Sequence, residues 1–153
     1  MNKKEGAGVK IAIGSDHGGF LMKQKVVKFL ESKGHVVADM GTHDEKPCDY
    51  PVYGRKVARA VSAGQFDRGV LICKSGLGMS MAANRVRGIR AALCWDIKGA
   101  ESSRRHNDAN IICLAATRTS VGQAKKILQV WLKTEFEGGR HARRVKLLER
   151  LSR

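Results

Sequence analysis

The chain has 153 residues, of which 42% are hydrophobic and only 5% aromatic, and it carries a formal net charge of +15. That length suits one domain over 1–153 with a sizeable core. No apolar run approaches the roughly 18 residues that cross a bilayer, so a membrane-spanning helix is excluded.

The amino terminus, Met1-Asn2-Lys3-Lys4, is charged and lacks a following apolar region with a cleavage site. A cytoplasmic location is therefore expected. The surplus of positive charge invites a polyanionic partner. Against nucleic acid stands the absence of any basic stretch interleaved with stacking rings. Much of the charge sits in Arg140, Arg143, Arg144, Lys146, Arg150 and Arg153, a run that is usually a solvated helix face. Cys48, Cys73, Cys94 and Cys113 are widely spaced and form no CxxC pair, which argues for reduced thiols. His35, His43, Cys48 and His106 show no metal-ligand spacing, so no metal is expected.

Along the chain, Val9–Gly14 reads as a strand ending at Ser15-Asp16-His17-Gly18-Gly19. Phe20–Lys33 shows apolar residues at helical spacing, with Gly34 as the stop. A second strand over His35–Met40 runs into a polar loop, Gly41–Cys48. Asp49 as a cap and Pro51 in the first turn open a helix over Val52–Ala63, stopped by Gly64. Gly69–Cys73 is the third strand and Ser80–Val86 a short helix. Ala91–Trp95 and Ile111–Ala115 are strands four and five, with a helix over Lys98–Arg105 between them. Helices close the chain at Val121–Lys133 and, as a basic element from about 142, Ala142–Leu151. Short apolar strands alternating with amphipathic helices predict a five-stranded parallel sheet covered on both faces. Right-handed crossovers make it a Rossmann-like three-layer αβα sandwich. Ligands in such sheets bind outside the carboxyl ends of the strands.

The segment Cys73-Lys74-Ser75-Gly76-Leu77-Gly78 is the most informative on that rim. A thiol ends a buried strand, and a loop without bulky Cβ atoms can aim backbone N–H groups at one point. A nucleotide loop would need a glycine where Met81 stands. A cysteine phosphatase would need an arginine where Met79 stands. Two readings remain: a thiolate base beside an anion hole, or a buried cysteine at a strand end. Asp16 and His17 could hold substrate hydroxyls or phosphate, or Asp16 could simply cap the turn. His106, flanked by Asn107, Asp108 and Asn110, is a candidate acid/base placed on the same rim as Cys73. Arg140 and Arg144 are four apart, hence on one helix face, where they could clamp a phosphate or be surface charge.

Several ordered motifs resemble the type B ribose-5-phosphate isomerases and their relatives that act on galactose and allose 6-phosphates. They are Gly14-Ser15-Asp16-His17, Asp49-Tyr50-Pro51, Cys73-x-Ser75-Gly76-x-Gly78-x-Ser80 and Ala83-Asn84. Ser103-Arg104-x-His106-Asn107-Asp108-x-Asn110 and Glu137-Gly138-Gly139-Arg140-His141-x-x-Arg144 complete the set. The resemblance implies an aldose–ketose isomerase that uses an enediolate and needs neither metal nor cofactor. It implies Cys73 as the base, Ser75 as an aid to proton traffic, and N–H groups from Lys74, Ser75, Gly76, Leu77 and Gly78 as the anion hole. By the same likeness His106 opens the furanose ring, while Asp16 and Asn107 hold hydroxyls. His17, Arg140 and Arg144 would bind phosphate. The site would lie between subunits of a homodimer or a dimer of dimers. The chain departs from the pattern at two places. Lys74 replaces a glycine, and Thr117 stands where relatives carry an arginine, with Arg118 one step later.

Overall fold

A computed structural model describes residues 8–151. The charged amino-terminal segment 1–7 and Arg153 of the basic run lie outside the described residues. The elements follow in the order β1 (Lys10–Ser15), α1 (Phe20–Ser32), β2 (Val36–Asp39), α2 (Tyr50–Ser62), β3 (Arg68–Cys73) and α3 (Leu77–Ala83). Then come β4 (Ala91–Leu93), α4 (Ile97–Asn107), β5 (Ile111–Ala115), α5 (Val121–Lys133) and α6 (Arg140–Arg150). All strands are parallel and lie in the order β2-β1-β3-β5-β4. This is the Rossmann-like α/β sandwich that the alternation of elements predicts.

Strand periodicity sorts the core into two layers. Ile11, Ile13, Val70, Ile72, Ile112 and Leu114 face α1, α4 and α5. Ala12, Leu71, Cys73, Ile111 and Cys113 face α2 and α3. The chain leaves β1 toward β2 on one side and returns to add β3 on the other. The turns after β1 and β3 are therefore neighbours at the switch point, where open α/β sheets bind ligands. Gly19 permits this closeness, because a Cβ there would lie 2.3 Å from the Ile72 carbonyl oxygen.

Several element bounds differ from the sequence expectation for identifiable reasons. Helix α3 begins at Leu77, ahead of Ser80, because Gly76 takes a left-handed conformation (φ 73°) that turns the chain straight into the helix. It ends at Ala83, ahead of Val86, with Asn84 as its C-cap. Asn84 instead serves the edge strand: its amide nitrogen donates to the Ala91 carbonyl (3.0 Å) and its oxygen accepts the Ala91 N–H (2.8 Å). A side chain thus stands in for a sixth strand at the start of β4. Asp49 precedes α2, with Pro51 in its first turn, but the Asp49 side chain makes no capping bond. The side-chain caps are Asp96 on α4 and Ser120 on α5, which accept the N–H groups of Gly99 and Gln123. Strand β4 stops at Leu93, short of Trp95, and α6 starts at Arg140, two residues before the expected onset.

Candidate functional site

Cys73 ends β3, pairs in register with Ala115 of β5, and is 5% exposed. The Gly76 N–H donates to its sulfur (3.1 Å). Ser75 is exposed, and its hydroxyl oxygen accepts the Leu77 N–H (3.3 Å). The loop after β5 fixes this segment from behind. Ala116 N–H donates to the Cys73 carbonyl (2.9 Å), while both the N–H (3.1 Å) and hydroxyl (2.8 Å) of Thr117 donate to the Lys74 carbonyl. Thr117, where the resemblance leads one to expect an arginine, therefore has a structural task here. Arg118 lies over the Trp95 ring at 4.0 Å. Gly78 packs against Tyr50, whose ring carbon Cζ would lie 2.6 Å from an added Cβ. These bonds hold the Cys73 and Lys74 carbonyls, and so the entry to the Lys74–Gly78 loop, in a fixed position ahead of α3.

The β1 turn lies beside this loop. Asp16 is buried, and its Oδ1 accepts the Gly19 N–H (3.1 Å); this bond closes the turn, whereas the N-cap of α1 is Gly19, which has no side-chain cap. His17 Nδ1 accepts the Cys48 N–H (3.2 Å), which leaves Nε2 as the ring's protonated nitrogen when neutral. Lys74 runs its aliphatic stem across Gly18, where an added Cβ would meet its Cγ at 2.5 Å. Its side chain therefore borders the Asp16–His17 turn. Upstream, Lys23 is fully buried on α1 with its ammonium 2.5 Å from Asp39 Oδ2, while Asp39 Oδ1 accepts the Gly41 N–H (2.9 Å). This pair anchors the loop that delivers Cys48 to His17.

The second group lies elsewhere. His106 and Asn107 end α4, which runs back from β4 toward the start of β5. They therefore sit at the amino edge of the sheet, and the expectation that His106 shares a rim with Cys73 is corrected. In a parallel sheet the return helix ends opposite the strand end that feeds it. Arg90 and Arg104 hold this corner. Arg90 Nε donates to the carbonyls of Asn107 (3.1 Å) and Asp108 (3.0 Å), and its Nη1 lies 2.6 Å from Glu149 on α6. Arg104 Nη1 donates to Asp108 Oδ1 (2.8 Å) and to the Ala109 carbonyl (2.7 Å). Asp108 turns the chain in the left-handed region (φ 48°).

The His106 ring stacks on His141 with centroids 4.6 Å apart. Burial, then the charges of His106 and Arg140, lower the His141 pKa. Arg140 and Arg144 are exposed one turn apart on α6. His106, His141 and Glu137 each bring a ligand-type atom within 4.8 Å of one another, a grouping the sequence spacing does not reveal. Arg105 already lies 3.1 Å from Glu137 Oε2, and Arg140 and Arg144 add positive charge, so the surroundings oppose a cation.

A single chain thus assembles Asp16, His17, Cys73, Lys74, Ser75, Gly76, Leu77 and Gly78 at the carboxyl edge of its sheet. It assembles His106, Asn107, Arg140 and Arg144 at the amino edge. The two halves do not meet within one chain. Sequence reasoning gave no structural role to Tyr50, Cys48 or Thr117. Of these Tyr50 carries a signal through its place in the Asp49-Tyr50-Pro51 motif, and Thr117 one as a departure from the expected arginine.

A parallel sheet with a thiol and glycine loop at its switch point defines an α/β enzyme of the kind that binds small polar substrates at strand ends. The chain belongs to the Ribose/Galactose Isomerase family, whose model matches residues 11–148. It is 43% identical over 139 residues to ribose-5-phosphate isomerase B of Escherichia coli, covering 91% of this chain and 93% of that protein. A solved ribose-5-phosphate isomerase B from Clostridium thermocellum superposes with a TM-score of 0.92 at 50% identity, covering 93% of this chain and 96% of that one. The Mycoplasma genitalium ribose-5-phosphate isomerase B, solved with bound ribulose-5-phosphate, gives a TM-score of 0.89 at 38% identity, covering 93% and 95%. Among the described residues no helix is long and apolar enough to cross a membrane.

Proposed function

We propose that the chain is a cytoplasmic, single-domain ribose-5-phosphate isomerase that interconverts ribose 5-phosphate and ribulose 5-phosphate, with Cys73 as the base. The observation that carries this reading is the Cys73 sulfur at a strand end, hydrogen-bonded by the Gly76 N–H at the mouth of a glycine loop. Family membership and the names of the relatives supply the substrate class.

The chemistry follows from charge placement. A hydrogen α to a carbonyl is weakly acidic, so removing it needs stabilisation of the oxyanion that forms. The Cys73 thiolate takes the C2 proton of the open-chain aldose while the C1 carbonyl oxygen becomes negative. Backbone N–H groups of the Lys74–Gly78 loop that are not bonded to Cys73 or Ser75 receive that charge, and losing one such donor costs about 3 kcal/mol of barrier. The thiol returns the proton to C1, and Ser75 relays a proton between the two substrate oxygens. Asp16 holds a hydroxyl, and His17 faces the phosphate. His106 and Asn107, on the opposite edge of the sheet, join the site from a second subunit, along with Arg140 and Arg144. His106 opens the furanose ring and the two guanidinium groups grip the phosphate bidentately. A homodimer is then the smallest active unit. The cycle requires neither a metal nor an organic cofactor, because main-chain dipoles carry the oxyanion.

The test is a turnover assay on five- and six-carbon sugar phosphates with the parent and the Cys73→Ala variant. Ribose 5-phosphate should be preferred over allose 6-phosphate, and kcat should fall about 10²–10⁴-fold in Cys73→Ala. Parent-like proton exchange at C2 in that variant would reject the base.

A further inference from the structure

The isomerase reading leaves a second concentration of positive charge unused. Arg55 and Arg59 lie one turn apart on α2 and share a face. Arg85 and Arg87 follow the end of α3. All four are exposed and line one groove of about 570 Å³ that also touches Pro51 and Val86. No acidic residue lines it. Among the described residues none of the four forms an ion pair, whereas Arg90, Arg104 and Arg105 are each matched to a carboxylate. Like charges gathered around one concavity repel, and a bound anion relieves that repulsion.

We propose that this groove is a second anion site that takes a compact oligophosphate, a di- or triphosphate chain either free or at the end of a nucleotide. Guanidinium forks match phosphate oxygens bidentately, and four of them suit a chain of phosphates better than a single one. The volume falls in the range of about 300–1,000 Å³ typical of small-ligand sites. No aromatic side chain lines the groove, so it lacks the stacking platform of a single-stranded nucleic-acid site. A two-fold contact with another copy would set the same cations against themselves. None of the four arginines belongs to the Cys73 site, so the inference does not depend on the isomerase assignment.

Isothermal titration of the full chain with inorganic tripolyphosphate, and separately with magnesium-free ATP, tests it. The expected result is one saturable site per chain whose affinity falls tenfold or more between about 50 and 200 mM salt. The double variants Arg55→Gln/Arg59→Gln and Arg85→Gln/Arg87→Gln should each weaken binding at least tenfold, with parent-like circular dichroism and isomerase kcat/KM within about twofold. Tighter binding of ATP identifies a nucleotide as the source, and equal binding identifies the bare phosphate chain; both support the site. Undiminished affinity in both double variants overturns it. So does complete competition by ribose 5-phosphate, or multi-site binding of duplex DNA tighter than that of either oligophosphate.

Discussion

At the scale of single residues, four cysteines of one chain are set apart by their surroundings. Cys113 is fully buried, and burial pushes its thiol well above the usual range. Burial likewise pushes Cys94 up to about 11. Neither forms appreciable thiolate near neutral pH, so both should resist alkylation in the folded protein. Iodoacetamide should therefore label Cys48 and Cys73 ahead of Cys94 and Cys113, and ribose 5-phosphate should protect Cys73 and the activity together. Peptide mass spectrometry checks this, and inactivation that follows Cys94 or Cys113 would contradict it. Two histidines give a separate prediction. Burial lowers the pKa of both His35 and His141 below the ordinary value of 6.5. The folded state thus prefers neutral rings, and below pH 6.5 the unfolded chain takes up protons first. Stability should be full above that value and fall as pH drops toward the folded-state values. His141→Gln should flatten the decline in Tm between about pH 6.5 and 5; an unchanged slope would show that His141 does not contribute.

Elements explain where sequence reading succeeds and where it stops. Strands and helices were legible because apolar runs end at glycines and polar turns, and the rim loops around Asp16 and Cys73 follow from strand direction. The start of α3 is not, because a glycine in a loop free of bulky Cβ atoms gives no sign that its left-handed turn opens the helix directly. The Lys23–Asp39 pair was invisible, since it joins a helix to a strand 16 residues away. The edge on which His106 lies does not follow from its polar turn; it follows from the direction of α4. The close packing of α3 against α2 gives an element-scale prediction. Gly78→Ala places a methyl 2.6 Å from the half-exposed Tyr50 ring, which must swing aside; the helix gain from alanine offsets much of the cost, so stability should change by less than about 1 kcal/mol while turnover falls. Adding Tyr50→Ala should restore part of the lost turnover. If the double variant is no better than Gly78→Ala alone, the Tyr50 contact does not set the loop.

For the whole molecule, the decisive fact is that the two groups of predicted site residues lie at opposite edges of one sheet. Arg90 and Arg104 tie the end of α4 to the turn before β5, and Arg90 also reaches α6. His106, Arg140 and Arg144 therefore belong to one supported corner that can be presented to a neighbour. The basic residues at that corner and those of the α2–α3 groove account for much of the charge whose purpose composition alone leaves open. Complementation between inactive chains tests this arrangement most directly. Cys73→Ala and His106→Asn chains, each inactive alone, are unfolded together, refolded as an equimolar mixture and assayed for ribose 5-phosphate isomerisation. Random pairing places one intact site in each mixed dimer, so activity should recover to about a quarter of the parent value. Mixed dimers that form yet remain as inactive as either variant would contradict a site shared between subunits.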